Sequence, residues 1–278
     1  MPLYDRALES DPGYADRRHY WEDKAGVLFG AHRYDEAAAA YGRALDLGAA
    51  NVVRALQADA LLFAGNYRKA RSLWQRFVAE ETIHARAAEY VLKLDLVDDI
   101  IEVVGVDEQT RDVPDLTGPL IPGDEPPTPE EARDLARAAL RRDALDPRGW
   151  QVLGWAALTE DDLATYVRYE RAVACLLETN VDAWATAVAM NHGVPQGQLV
   201  PEMLVTGDRL TGGELLPRLA AFAREFVPPD ERADWLAEIE ELSRSIPRDE
   251  RRGFAVRVLG EDGSVEEMAV ASAEGDED

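Results

Sequence analysis

An internal repeat limits the fold of this chain more than any other feature of its sequence. When the sequence is shifted by 33 residues against itself, six pairs of identical or similar residues fall into register. The pairs are Ala25 with Ala58, Leu28 with Leu61, Tyr34 with Tyr67, Ala37 with Ala70, Tyr41 with Trp74, and Arg43 with Arg76. Within each copy, small or apolar residues recur at three- and four-residue steps, first through 21–30 and 54–64, then through 34–47 and 67–79. This period predicts a pair of amphipathic helices in each copy.

The small residues of the repeat have a packing role. Two antiparallel helices approach closely only where one presents Ala or Gly to a ring of the other, so Ala25 and Ala37 are expected to receive Tyr41. At these residues the sequence resembles the tetratricopeptide repeat (TPR) family, most clearly in YDEAAAAYGRALDLG. The residues at motif positions 4, 8, 11, 20, 24 and 27 are Trp21, Ala25, Leu28, Ala37, Tyr41 and Ala44. The usual residue types are replaced by Lys24 in the first copy and by Arg54 and Phe77 in the second.

A second pair of similar segments occurs later, at an offset of 34 residues. Trp150 aligns with Trp184, and the segment between them, DDLATYVRYERAVACLLE, is predicted to be a helix. The resemblance to the TPR family covers residues 19–80 and 146–193. It implies an all-α fold of antiparallel helical-hairpin repeats, a TPR-like solenoid.

The remaining segments complete the predicted domain organisation. TPR-like repeats are expected over 1–104, ending in one long helix over 82–104, and a linker or loop rich in Pro, Gly and acidic residues over 105–128. A second helical, TPR-like region is expected over 129–247, with helices at 129–143, 199–209, 213–226 and 229–245. Alternating residues around Asp262-Gly263 predict a small β-hairpin over 248–270. Residues 271–278 are expected to be an acidic, disordered tail.

Composition excludes several classes of partner. The chain has 54 Asp and Glu against 30 Lys and Arg, a formal charge of −24, which disfavours nucleic acid or an anionic membrane surface. No run of eighteen apolar residues and no signal peptide are found, so a cytoplasmic protein is expected. The basic residues are almost all Arg, which we interpret as the mark of a GC-rich bacterial genome.

The negative charge is concentrated in two segments. Residues 1–80 hold eleven acidic and eleven basic residues, whereas 81–128 hold twelve against three and 261–278 hold eight against none. If charge steers a partner, we expect it to act through the linker and the tail.

Catalytic and metal-binding signatures are missing from the sequence. It contains no GxGxxG, GxxxxGK, HExxH or GxSxG motif, and no two of its four histidines lie within four residues of each other. Cys175 is the only cysteine and is expected to be a buried, inert thiol. The acid pairs Asp98-Asp99 and Asp161-Asp162 are interpreted as solvated charge. We therefore expect no enzyme activity, no cofactor and no metal.

The resemblance also implies a set of ligand-binding residues. By the repeat register, Trp155 is expected to point into a concave groove, where a Trp is a plausible hot spot for a bound peptide. The groove candidates are His19, Glu22, Phe29, Asp59, Leu62, Phe63, Arg148, Gln151 and Trp155. The basic residues with which some TPR proteins clamp a chaperone tail are replaced by Glu22, Gly26 and Leu56.

These observations predict a protein-interaction module, a scaffold or adaptor that binds a peptide or protein segment in a helical-repeat groove. One alternative is a helical enzyme or enzyme accessory subunit with an unrecognised site in 82–250. Another is a structural homo-oligomer whose chains pair through the C-terminal hairpin. Light scattering that shows a monomer would exclude this alternative.

The predicted groove is tested by a variant that combines Trp155→Ala with Phe63→Ala. We expect it to capture fewer proteins than wild type in a pull-down from the native host, because both truncated side chains are predicted to contact the ligand. Circular dichroism checks that the variant is folded. Capture of the same proteins by both forms would show that the groove assignment is wrong.

Overall fold

Helices dominate every long stretch of chain that the structure describes. A computed structural model describes residues 2–80, 85–105, 127–193, 201–245, 255–259 and 265–269. Its α-helices are α1 Pro2–Ser10, α2 Arg18–Gly30, α3 Tyr34–Asp46, α4 Val52–Phe63, α5 Tyr67–Glu80, α6 Ala85–Asp99, α7 Pro129–Arg142, α8 Pro147–Thr159, α9 Leu163–Leu176, α10 Val181–Gly193, α11 Pro201–Leu210, α12 Leu215–Phe226 and α13 Pro229–Ser245. A 3₁₀ helix spans Pro12–Asp16, and α6 continues as a π-helix over Ile100–Val104. None of the helices in these ranges is long and apolar enough to span a membrane.

The two repeat copies form helical hairpins as predicted. Helix α2 packs against α3, α3 against α4, and α4 against α5, and three-residue loops join the helices within each copy. The four alanines of the repeat are fully buried: Ala25, Ala37, Ala58 and Ala70. Ala25, Ala37 and Tyr41 belong to one core cluster, which agrees with the predicted packing of small residues around a ring. The helical-hairpin architecture of this part of the chain is therefore confirmed.

A tryptophan near the start of three helices makes the same hydrogen bond. The indole Nε1–H of Trp21 donates to the carbonyl oxygen of Ala15 at 2.9 Å, and Trp150 donates to Ala144 at 3.0 Å. Trp184 donates to Glu178, also at 3.0 Å, and in each case the acceptor lies six residues earlier. This bond satisfies the polar end of the indole and fixes the chain that enters the helix. Arg54, which occupies the matching position in α4, pairs instead with Glu80.

The helices divide into two compact units, Met1–Leu176 and Leu177–Asp278. In the first unit, the order of packing departs from the order of the sequence after α6. Helix α6 packs against α5 on one side and α9 on the other, α9 packs against α8, and α8 packs against α7. Helix α7 also contacts the π-helix. The neighbour of α6 is thus the last helix of the unit rather than the next one along the chain.

The predicted start of α7 is confirmed in detail. Thr128 Oγ1 accepts a hydrogen bond from the Glu131 backbone N–H, and the Glu131 carboxylate accepts one from the Thr128 backbone N–H at 2.9 Å. This is a capping box with Pro129 in the first turn. The π-helix that follows α6 ends at Gly105, whose φ of 75° favours glycine.

The second unit contains α10–α13 and two short strands. Helix α12 packs against α10, α11 and α13. Strand β1, Ala255–Leu259, pairs antiparallel with β2, Val265–Ala269, in the register from Ala255 opposite Ala269 to Leu259 opposite Val265. The predicted turn at Asp262-Gly263 lies outside the described residues, so the hairpin over 248–270 stays a prediction.

The predicted linker and tail stay predictions for most of their length. Most of the linker or loop over 105–128 and the whole tail over 271–278 lie outside the described residues. Both segments stay predictions. What the structure adds is that α6, which precedes the linker, and α9, which follows it, pack together within one unit.

The contact between α7 and α8 can be tested at Gly149. A Cβ atom at Gly149 would lie 2.6 Å from the Leu140 side chain in a fully buried contact. We expect Gly149→Ala to lower the free energy of unfolding by about 1–3 kcal/mol through overpacking, measured by urea denaturation. Gly30→Ala is the matched control, because a Cβ there would meet nothing within 4 Å. Equal midpoints for the two variants would contradict the tight packing.

Candidate binding cleft

The predicted groove residues of α2 and α4 make contacts within the protein. The rings of Phe29 and Phe63 meet edge to face at 5.5 Å, and Tyr34 lies 5.3 Å from each of them. Asp59 accepts a hydrogen bond from the Lys93 ammonium at 3.0 Å. These residues lie on four different helices, α2, α3, α4 and α6, and all but Lys93 remain partly exposed.

The other three candidates on these helices are His19, Glu22 and Leu62, and they differ in exposure, with Glu22 partly exposed. Leu62 is 3% exposed, so its side chain belongs to the core and offers no surface to a ligand in this conformation. His19 is exposed, lies 3.6 Å from the Glu22 carboxylate, and borders a hollow of about 810 Å³ beside α1. The hollow is also lined by Tyr4, Tyr14 and Tyr20.

The three candidates on α8 form a separate group. The Arg148 guanidinium is held by the Asp146 carboxylate, with Nη2 2.7 Å from Oδ2, while Gln151 is exposed and Trp155 is half-buried. Helix α8 packs against α7 and α9. By contrast, α2 packs against α3, and α4 packs against α3 and α5. The nine candidates therefore lie in two different parts of the first unit, and their assignment to one groove stays a prediction.

The structure reveals a cleft that the repeat register does not include. It lies between α6, the π-helix and α9 and has a volume of about 540 Å³. Its floor is apolar and its walls are charged, and the lining residues are Leu92, Asp95, Leu96, Asp98, Asp99, Glu102, Arg168, Arg171 and Ala172. We call it the α6–α9 cleft.

Ion pairs cross the cleft from α9 to α6. Arg168 pairs with both Asp99 and Glu102, the latter at 2.9 Å, and Arg171 pairs with Asp95 at 2.6 Å. Each pair joins residues that are 66–76 positions apart in the sequence. The Nε–H of Arg171 is buried and has no acceptor in the part of the chain that the structure describes.

A second hollow adjoins the cleft on the side of α5. It has a volume of about 440 Å³ and shares Asp98 and Glu102 with the cleft. Arg71 of α5 pairs with Asp98 across this boundary. Polar surface therefore extends from α5 across the π-helix to α9, and the carboxylates lie in its centre.

Burial changes the acidity of two carboxyl groups in the cleft. Asp99 is 3% exposed, and desolvation raises its pKa to about 6 although Arg168 donates a hydrogen bond to it. Desolvation also raises the pKa of Asp95, against the opposing charge of Arg171. The interpretation of Asp98-Asp99 as solvated charge is wrong for Asp99, because α9 covers that side of α6.

A further carboxyl group is buried on the other face of α9. Burial raises the pKa of Glu170, which is close to Gly154 of α8, and the pKa of its neighbour Tyr166 is raised to about 12. No group of three or more His, Cys, Asp or Glu within the described ranges is arranged to hold a metal ion.

The sequence carries a signal for the cleft that the repeat analysis did not use. Asp95, Asp98 or Asp99, and Glu102 follow each other at the spacing of one helix face. Arg168 and Arg171 have the same spacing on α9. These patterns predict two charged helix faces, but they do not reveal that the faces meet, because α6 and α9 are separated by the linker and two helices.

Comparison with known proteins finds likeness only among solved structures. No known protein family and no curated protein matches this chain. Among solved structures, it is similar to a crystal structure described as YrrB, a TPR protein with an unusual peptide-binding site. The two chains are 15% identical with a TM-score of 0.32, over 80% of this chain and 98% of the other. A likeness of this degree carries no argument, and the helical-hairpin fold rests on the packing described above.

The buried carboxyl group predicts a specific pH dependence. The pKa of Asp99 is about 6 in the folded state and near its ordinary value of 3.8 in the unfolded chain. As pH falls, Asp99 is therefore protonated in the folded protein before it is protonated in the unfolded chain. Asp99 therefore destabilises the folded state at neutral pH, and this penalty is lost between about pH 7 and pH 4. We compare the free energy of unfolding of wild type with that of Asp99→Asn. As pH falls from about 7 to 4, the value for wild type minus the value for the variant should rise by about 1–2 kcal/mol.

Glu160→Gln is the control for this measurement. The pKa of the exposed Glu160 is lowered by its hydrogen bond from Arg133, so the corresponding difference should change in the opposite direction as pH falls. Urea denaturation at a series of pH values gives both differences. A difference for Asp99→Asn that does not change with pH would contradict the raised pKa.

Proposed function

We propose that the chain is a non-catalytic protein-interaction module and that the α6–α9 cleft binds a peptide or protein segment. The observation that carries this proposal is the cleft itself. Its charged walls offer both donors and acceptors, and the buried side chains of Leu92, Leu96 and Ala172 close it beneath them. Ligand-binding sites are typically concave, and a few polar groups in them fix the orientation of the ligand.

The extent of the polar surface supports an extended ligand. The cleft and the adjoining hollow meet at Asp98 and Glu102, so a segment lying along them would contact α5, the π-helix and α9 together. All three elements are helical and packed, so little ordering cost is expected on binding. The aromatic group of Phe29, Tyr34 and Phe63 remains part of the proposal as a second, separate contact surface.

A second candidate function is an enzyme or enzyme accessory subunit. It is favoured by one observation, the carboxyl group of Asp99 with a pKa of about 6, a value suited to general acid or base catalysis near neutral pH. Among the described residues that line the cleft, none is a Ser, Cys, His or Lys that could act as a nucleophile. Asp99 is also held by Arg168, which is a structural reason for its burial.

The proposed binding site is tested by selection and mapping. The full-length protein is immobilised and used to select binders from a displayed library of random peptides. Hydrogen–deuterium exchange of the protein with a selected peptide then locates the bound segment. We expect slower exchange in 92–102 and 168–172, because a ligand in the cleft shields both walls.

Matched variants complete the test. Arg168→Gln with Arg171→Gln should change the affinity for the selected peptide at least fivefold, because both side chains line the cleft, whereas Arg33→Gln with Arg133→Gln, which removes the same charge from ion pairs elsewhere, should leave it unchanged. Failure to select any binder, or protection confined to α2 and α4, would overturn the assignment to the cleft. Turnover of a substrate that is lost only in Asp99→Asn would favour the enzyme instead.

A further inference from the structure

The α6–α9 cleft has an excess of negative charge. Four carboxylates line it, from Asp95, Asp98, Asp99 and Glu102, against the guanidinium groups of Arg168 and Arg171, and one further guanidinium group, from Arg71 of the adjoining hollow, pairs with Asp98. The same charge sign dominates the surrounding sequence, where residues 81–128 hold twelve acidic and three basic residues. Residues 1–80 are by contrast balanced in charge.

Each of these carboxylates accepts hydrogen bonds through only one of its two oxygens in the described part of the chain. Asp95 contacts Arg171 through Oδ2, Asp98 contacts Arg71 through Oδ1, and Glu102 contacts Arg168 through Oε2. Asp99 uses Oδ1 alone. The second oxygen of each carboxylate has no protein partner in the described part of the chain, so the arginines of the protein do not saturate the acceptors of the cleft.

Three of the four groups are open to solvent. The side chains of Asp95, Asp98 and Glu102 are 47%, 43% and 71% exposed. They follow each other at successive turns, and at a rise of about 1.5 Å per residue the row is roughly 10 Å long. A row of this length presents acceptors for two neighbouring cationic side chains of an extended segment.

We propose that the segment bound in the α6–α9 cleft is basic, and that its Lys or Arg side chains donate hydrogen bonds to the unused oxygens of Asp95, Asp98 and Glu102. This inference rests on the proposed function, because it names the chemistry of the partner that the same cleft binds. Charge-assisted hydrogen bonds to carboxylates are stronger than neutral ones, and they give specificity as well as affinity.

The electrostatics of the cleft agree with a cationic ligand. Desolvation still raises the pKa of Asp99 and of Asp95, although Arg168 and Arg171 face them. The positive charge of the protein therefore does not fully offset the desolvation of buried Asp99 and of the partly covered Asp95. A further cation in the cleft would stabilise their ionised forms, whereas an acidic segment would be repelled.

The test compares three synthetic peptides of equal length in fluorescence anisotropy with the full chain. One carries alternating Arg and Gly, the second carries citrulline in place of Arg, and the third carries Glu. We expect the Arg peptide to bind at least tenfold more tightly than the citrulline peptide, and the Glu peptide not to bind. The affinity for the Arg peptide should fall as salt is raised.

A matched pair of variants separates the cleft from the general charge of the protein. The cleft variant combines Asp95→Asn, Asp98→Asn and Glu102→Gln. The control combines Glu36→Gln, Glu160→Gln and Glu240→Gln, which neutralises three exposed, ion-paired carboxylates elsewhere. We expect the cleft variant to lose about tenfold in affinity for the Arg peptide and the control to lose less than twofold. Thermal unfolding followed by circular dichroism verifies that both are folded.

The possible results distinguish this inference from the proposed function. Equal losses in the two variants would show attraction to net charge alone and would overturn the inference. Selected peptides that map to the cleft but carry no basic residues would also overturn it, while leaving the proposed function intact. Calorimetric binding of Ca²⁺ or Mg²⁺ that is lost in the cleft variant, without binding of the Arg peptide, would identify a metal cation as the ligand instead. Absence of any peptide at the cleft would remove both proposals.

Discussion

The structure depends on close contacts between helices at which one partner presents a small residue. Ala25, Ala37, Ala58 and Ala70 are fully buried in the first two hairpins, where larger side chains would hold the helices apart. Gly149 receives Leu140 of α7, and Gly154 lies against Tyr166 of α9, so α8 approaches both of its neighbours closely. Packing of this kind fixes how far each helix stands from the next, and every polar contact between helices depends on those distances.

The α6–α9 cleft is a consequence of this packing. Once α8 and α9 form a tight hairpin and α9 lies on α6, Arg168 and Arg171 face the acidic side of α6. Asp99 is then removed from water, and its pKa rises because Arg168 offsets only part of the cost of desolvation. The same arrangement leaves the outer oxygens of Asp95, Asp98 and Glu102 available. One buried carboxylate and three solvent-accessible ones thus lie on one side of α6 and the π-helix, within about two turns.

Much of the secondary structure could be predicted from the sequence, because caps, prolines and hydrophobic periods act locally. Thr128 and Pro129 mark the start of α7, and the predicted helix over 229–245 is found at those residues. The candidate site was less predictable. The groove residues follow from the register within each repeat, which does not specify how the two groups of repeats are joined, and α8 packs against α7 and α9 rather than against α2 or α4. Leu62 is buried because its side chain fills space between packed helices.

The sequence by itself determined that the chain folds into helical hairpins, since a repeat of small and apolar residues at helical steps buries its surface only when helices pair. It also determined where the negative charge lies along the chain. Only the tertiary structure decided that α9 is the neighbour of α6, and with it that Asp99 is buried while Asp95 and Glu102 remain open. The physical reason is that periodicity specifies which face of a helix is apolar, whereas the choice of partner depends on shape and charge over the whole packed surface.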